Sequence, residues 1–286
     1  MLYVDAPSLV YRAFFAVPAS ITDAEGRPVN AVRGFIDMVA WLMVEKRPDE
    51  VVAVFDADWR PAWRVDAYPG YKSQRPEDPP ELPGQFDVIA HVLDAAGVVR
   101  ADAAGYEADD VIATLVATKD TERRAAVVSG DRDLLGVVHD PDVALLWPGR
   151  SVRHIEELDE AAVEERYGVP PRLYAEFAML RGDPSDGLPG VAGIGAVRAA
   201  TLLRRFGSIA GIVSHLDDLP AKQANAIAAA RDYLAAMATV VPLVRDVDVR
   251  ATKPQEPDEF ALAELAERHN LKRSTQRLLD ALRTST

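Results

Sequence analysis

Residues 125–133, A-A-V-V-S-G-D-R-D, decide the fold. Ala125, Ala126, Val127 and Val128 carry no helical stripe and read as a short buried strand. Ser129-Gly130 breaks the run, so Asp131 and Asp133 emerge at its carboxyl end. In open α/β sheets ligands gather outside the carboxyl ends of the strands, and paired carboxylates there suit a hard cation. The device recurs upstream. Leu2–Val4 is an apolar run closed by Asp5 and followed by a helix beginning near Leu9, and Val51–Phe55 is a continuous apolar run closed by Asp56. Three apolar strands, each ending in aspartate, predict an α/β protein with a parallel or mixed Rossmann-like sheet and anions along one edge.

The totals agree with such a core. At 286 residues and 49% hydrophobic composition the chain can bury a large interior. It has no cysteine and five scattered histidines, so any metal must sit on oxygen ligands, which points to magnesium or manganese. Met1-Leu2-Tyr3-Val4-Asp5 enters a strand directly, and no apolar run reaches the roughly 18 residues a membrane helix needs, so a cytoplasmic protein without a membrane partner is expected. The net charge of −13 argues against general coating of nucleic acid, although clustered carboxylates that bind cations leave local arginine surfaces able to hold phosphates.

Along the chain, Asn30–Lys46 carries one apolar helical face and stops before Pro48. From Asp58 to Gln85 regular patterning fails, with Trp59, Trp63, Tyr68 and Tyr71 alternating with Arg60, Arg64, Lys72 and Arg75. Aromatics interleaved with cations suit single-stranded nucleic acid, and the same pattern suits a surface loop with its rings tucked inward. Pro83–Gly97 reads as a helix and Val98-Val99 as a strand. In Gly105–Asp110 three carboxylates, Glu107, Asp109 and Asp110, sit at a helix start, where the macrodipole alone would also favour acidic residues. Val143–Trp147 is a further strand, and Ile155–Tyr167, Leu173–Leu180 and Ala196–Phe206 read as helices, followed by small helices to Thr286. Gly190-Val191-Ala192-Gly193-Ile194-Gly195 opens a helix and offers backbone amides to a phosphate; tight packing of a helix hairpin explains the same glycines.

Asp5, Asp56, Glu107, Asp109, Asp110, Asp131, Asp133, Asp183 and Asp186 thus fall at element ends. Gathered together they would repel unless cations lay between them, and two divalent ions roughly 4 Å apart would suit phosphodiester hydrolysis.

In order along the chain, V-D-A with Y-R-A-F-F-A, V-F-D-A, Y-P-G-Y-K-S-Q-R, G-Y-E-A-D-D-V-I-A-T, S-G-D-R-D-L-L and G-D-P-S-D-G-L-P-G-V-A-G-I-G resemble the bacterial and phage 5′ nucleases of the flap endonuclease family. That family includes the 5′-exonuclease domain of DNA polymerase I. The resemblance spans about Leu2 to Phe206. It implies a PIN-like core over residues 1–180 with a helical arch at 58–85, and a helical DNA-binding region over 181–286 whose helix-three-turn-helix occupies about 182–207. It implies a first metal site of Asp5, Asp56, Glu107 and Asp109, a second of Asp131, Asp133, Asp183 and Asp186, and Asp110 and Asp131 between them.

The implied activity is structure-specific cleavage of a 5′ flap or 5′ end in replication and repair, with Lys72, Arg75 and Asp131 at the chemistry. Tyr11, Arg12, Arg33, Tyr71, Lys72, Arg75, Gly190, Gly193, Gly195 and Arg198 are the implied DNA contacts, and a potassium ion in the helix-three-turn-helix is part of the same expectation. The partner would be flapped or junction DNA, including an RNA primer strand, met by a monomer in the nucleoid. Departures from the family pattern are Ala6 and Gly187, where glycine and asparagine are usual, and Arg132, where lysine is usual. Two competing readings remain: a relative that binds flaps without cutting, against which the complete second-site carboxylates argue, and a PIN-type ribonuclease, which has no need of the glycine-rich duplex clamp.

Overall fold

The computed structural model describes residues 1–149 and 154–285; residues 150–153 and Thr286 lie outside it. Among the described residues seven strands form one sheet: β1 (Leu2–Asp5), β2 (Val51–Val54), β3 (Val99–Asp102), β4 (Ala125–Val128), β5 (Val143–Pro148), β6 (Ile155–Leu158) and β7 (Arg250–Ala251). The order is β6-β5-β4-β1-β2-β3-β7. The five central strands are parallel, and β6 and β7 close the two edges antiparallel. From β1 the chain runs outward to β2 and β3, then returns to place β4 on the other side of β1. That reversal of direction opens a crevice at the carboxyl ends of β1 and β4.

Both sheet faces are covered, which is why the strands read as unbroken apolar runs. Leu2, Val4, Val51 and Ala53 pack with α1 (Ala6–Ala16), α2 (Asn30–Lys46), α4 (Pro83–Ala95), α12 (Glu259–Arg268) and α13 (Lys272–Ser285). Tyr3, Val52 and Val54 point the other way, into a core shared with α5 (Ala108–Thr118), α7 (Tyr174–Arg181), α8 (Ala196–Phe206) and α11 (Arg231–Val240). The remaining helices are α3 (Ala62–Ala67), α6 (Glu160–Tyr167), α9 (Ile209–Ser214) and α10 (Ala221–Ala229). No helix among the described residues is long and apolar enough to cross a membrane.

Two sequence expectations are corrected here. Ile155–Tyr167 is not one helix: Ile155–Leu158 pairs with β5, and Asp159 caps a new helix by accepting from Ala162 N at 2.8 Å. Residues 58–85 are not wholly irregular, since Pro61 leads into helix α3 and Pro83 opens α4. Around it the segment is held down rather than free, with Arg64, Tyr71 and Leu82 buried. The short edge strand β7 reaches the sheet because Gly97 has φ +72° and no side chain; a Cβ there would sit 2.0 Å from Gln255 O.

The C-terminal helices are part of the core. Leu278 of α13 is fully buried among residues of α2 and the sheet, and Arg277 pairs with Asp37 at 2.8 Å. Leu278→Ala should therefore lower the unfolding free energy by about 2–5 kcal/mol in a urea titration, the usual cost of such a cavity.

Candidate active site

The switch-point crevice holds a cavity of about 520 Å³ whose wall includes Asp5, Asp56, Glu107, Asp109 and Asp131, together with Lys72 and Arg75. Glu107 and Asp109 also line a narrow crevice of about 10 Å³ that takes in Asp133 and Asp186. Two groups of carboxylates are thus joined through the start of α5.

Local hydrogen bonds place each group. Asp5 ends β1 and caps α1, accepting from Ser8 N at 3.1 Å, while its other oxygen accepts from the buried Ser129 hydroxyl. Ser129 Oγ in turn accepts from Asp131 N at 2.8 Å, and Ser8 Oγ accepts from Gly130 N at 2.9 Å. Asp131 Oδ1 then accepts from Asp133 N at 3.0 Å, so the break after β4 is pinned to the end of β1. Asp56 accepts from Ala108 N at 2.7 Å and fixes the first turn of α5 to the end of β2. Glu107, just before that turn, accepts from Tyr71 Oη at 2.8 Å and from Lys72 Nζ at 2.5 Å.

The electrostatics follow from this crowding. Burial pushes the Asp5 carboxyl up to about 7, with Asp131 and Asp56 adding to the rise against the Ser129 and Ser8 hydrogen bonds. Burial also raises Asp56, Glu107, Asp109, Asp133 and Asp186; Asp131 and Asp5 raise Asp109 further, and Asp131, Asp186 and Asp183 raise Asp133. The donors are all carboxylate oxygens that disfavour one another's ionisation, a set that fits hard divalent cations. Among the described residues no three acidic or histidine side chains are already arranged to hold one ion.

Several residues sit differently from their sequence-stated roles. Asp110 does not join the cluster: Arg64 grips both its oxygens at 2.8 Å, and Oδ1 also accepts from Val244 N at 2.9 Å. Three of its roughly four acceptor sites are thus taken within a fully buried ion pair, apart from the cavity that the other carboxylates line. Tyr71, expected on DNA, is 3% exposed and serves Glu107 instead. Asp183 is enclosed by Arg132 at 3.0 Å and Arg181 at 3.2 Å, and also accepts from Ser185 N at 3.0 Å. Arg12 donates to Pro148 O and Gly149 O, Tyr11 donates to Asp78, and Arg198 donates to Gly193 O at 2.7 Å. Arg33 is half-buried on α2. Gly193 and Gly195 face open space, whereas Gly190 donates to Tyr233 Oη at 3.1 Å.

Sequence reading missed Arg64, Ser8 and Ser129 as parts of the site. Asp5 before Ala6-Pro7 carried the capping signal that draws in the Ser8 amide; nothing marked Arg64 apart from its neighbours.

The N-terminal resolvase-like domain model of 5′–3′ exonucleases matches residues 1–168, and the C-terminal SAM-fold model of 5′–3′ exonucleases matches residues 169–266. The 5′–3′ exonuclease of Streptomyces coelicolor is 44% identical over 98% of this chain and 99% of its own length. DNA polymerase I of Mycobacterium tuberculosis is 39% identical over 92% of this chain, which spans 28% of the polymerase. The flap endonuclease of bacteriophage T5, solved as a pseudo-enzyme–product complex with DNA and metal ions, superposes with a TM-score of 0.64 at 20% identity, over 99% of this chain and 98% of its own.

The raised carboxyls make the chelated protein sensitive to pH. Asp5 titrates near 7 when folded and near 3.9 when unfolded, so the folded form binds the extra proton. Its contribution to stability is full below the unfolded value and is lost as pH rises through 7. In excess chelator the melting temperature should fall between pH 5 and 8, and Asp109→Asn should raise it at pH 8 by about 3 °C or more. A flat profile, or a destabilised Asp109→Asn variant, would show that these charges do not repel as described.

Proposed function

The chain belongs to the 5′–3′ exonuclease family, shared with the N-terminal part of DNA polymerase I, and we propose that it hydrolyses a DNA phosphodiester at the junction of a 5′ flap with duplex, leaving a 5′-phosphate and a 3′-hydroxyl. It is a hydrolase of the polymerase I 5′-nuclease type. The observation that carries the site assignment is the meeting of five carboxylates from β1, β2, α5 and the end of β4 with Lys72 and Arg75 in one cavity at the sheet's switch point.

Magnesium or manganese ions would be held by Asp5, Asp56, Glu107, Asp109 and Asp131 in the cavity, and by Asp133 and Asp186 beside the narrow crevice. Asp183, closed in by two arginines, would act mainly by shaping the turn that carries Asp186. Such ions supply Lewis acidity and lower the pKa of water at neutral pH.

The chain's own residues do the rest. Lys72 and Arg75 stand in the same wall and would hold the oxygens of the scissile phosphate as negative charge develops. Tyr71 keeps Glu107 turned toward the cavity, and the Arg64 guanidinium, 3.4 Å from Glu107, offsets charge that would otherwise repel the phosphate. Trp59, 49% exposed at the cavity edge, and Tyr11 offer rings for the bases of the incoming strand. Residues 181–285 would grip the duplex through the Gly190–Gly195 turn and α8, with a potassium ion as the cation expected at that turn. Residues 58–85 would form the arch region and residues 1–180 the nuclease core. The substrate would include RNA-primed 5′ ends, and one copy of the chain would suffice.

The test is single-turnover cleavage of a 5′-flap DNA with magnesium, manganese or chelator, the products mapped by size. Metal-dependent cuts near the junction are expected. Asp131→Asn should lose at least about 100-fold in rate, the scale of removing one electrostatic element from a transition-state site, while flap binding in calcium is retained. Full activity in that variant would sink the site assignment.

A further inference from the structure

The cations of the proposed phosphate grip do not hang over the site on a free loop. Residues 70–75 lie directly on the turn Pro184–Gly187. Lys72 N donates to Asp186 O at 2.9 Å. Gln74 Nε2 donates to Pro184 O at 2.9 Å and to Ser185 O at 3.2 Å, and Arg75 Nε donates to Ser185 O at 3.2 Å. Arg75 Nη2 reaches Asp186 Oδ1 at 2.7 Å. Three residues of one segment thus seat on three of another more than 100 positions away.

What lets them approach is Gly187. It has φ +74°, and a Cβ built on it would lie 2.5 Å from Gly70 O and 2.5 Å from Gln74 Oε1. One of those neighbours is backbone and cannot swing aside, so any side chain at position 187 would push the two segments apart. The Gln74 side chain occupies the space, and its amide takes the two carbonyls exposed by the turn.

We propose that Gln74, seated in the notch left by Gly187, is a positioning residue: it locks the segment bearing Lys72 and Arg75 onto the turn bearing Asp186, and so sets how far the phosphate grip stands from the carboxylates. The inference rests on the nuclease reading above for its catalytic consequence, but the docking itself is a statement about the fold. Gln74 touches no reacting atom; it acts through the Pro184 and Ser185 carbonyls. The rigid link is what a phosphate grip needs, since a displacement of about 1 Å can cost roughly 100-fold in rate.

Two measurements on the full chain separate the outcomes. Gln74→Met keeps the volume of the side chain and removes both donors. With magnesium present, hydrogen exchange at the Lys72 amide should speed up at least about tenfold, because its bond to Asp186 O depends on the dock. Single-turnover cleavage of a 5′ flap should fall roughly 10- to 100-fold, with flap affinity in calcium little changed. Gly187→Asn should reproduce both effects, and its penalty should be smaller in a Gln74→Ala background, where half of the crowding is gone.

Wild-type protection at Lys72 together with a wild-type cleavage rate in Gln74→Met would overturn the proposal, as would strict additivity of the Gly187 and Gln74 substitutions. If the wild-type chain itself fails to cut, the nuclease reading falls, and exchange at Lys72 still decides the dock.

Discussion

Like-charge repulsion at the switch point of the sheet is the constraint from which the rest of this molecule follows. Three strands deliver Asp5, Asp56 and the Asp131–Asp133 pair to one edge, and α5 adds Glu107 and Asp109. Carboxylates buried this closely are unfavourable unless positive charge is near. The chain supplies part of that charge itself: Lys72 on Glu107, Arg75 on Asp186, and Arg132 with Arg181 on Asp183. What stays uncompensated is concentrated around Asp109 and Asp133, both of which are raised by burial and then by the neighbouring Asp131. The same reasoning reconciles a net charge of −13 with a polyanionic substrate. Part of the excess negative charge is confined to a cavity where divalent ions would offset it, so the global sign alone does not describe the surface that meets DNA.

Not all of the acidic residues at the start of α5 belong to this cluster, and helix geometry explains the division. Glu107 and Asp110 are three residues apart and share a side of the turn, so one guanidinium, that of Arg64, reaches both. Asp109 is rotated by about 100° from Asp110 and faces the cavity instead. Burying an ion pair gives little net stability, because desolvation offsets the attraction. The Arg64–Asp110 pair is better understood as fixing geometry, since the same two side chains also bond Val240 O and Val244 N at the end of α11.

Much of this was legible in the residue order. The strand ends at Asp5, Asp56 and Asp131, and the limits of α2 and α8, follow from apolar runs and periodicity that are dictated by local contacts. The failures have physical causes. Ile155–Leu158 is too short to show alternation, and it is a strand only because β5 offers an open edge. Tyr71 and Arg64 sit in a stretch where aromatics and cations alternate, a pattern that describes a DNA-binding surface and an internal network equally well. Which of the two forms depends on partners 36 and 46 positions away, Glu107 and Asp110, that no local pattern encodes.

The same partners tie the two ends of the molecule together. Tyr68, four residues from Arg64, packs edge-on against Tyr233 of α11, and Tyr233 Oη accepts from Gly190 N at the start of the glycine-rich turn. Arg64 bonds Val240 O at the end of that helix, and Asp110 bonds Val244 N just beyond it. One strut, α11 and the residues after it, therefore touches the start of α5, the segment carrying Lys72 and Arg75, and the turn proposed to hold duplex. An enzyme that must cut at a set distance from a duplex junction needs its grip and its cleavage site held at a constant separation. Side-chain bonds to backbone carbonyls and amides meet that need better than loop contacts, because the backbone groups they engage are already fixed by helix and sheet. The buried Arg64 and the Tyr68–Tyr233 pair thereby join the start of α5 to the glycine-rich turn through α11.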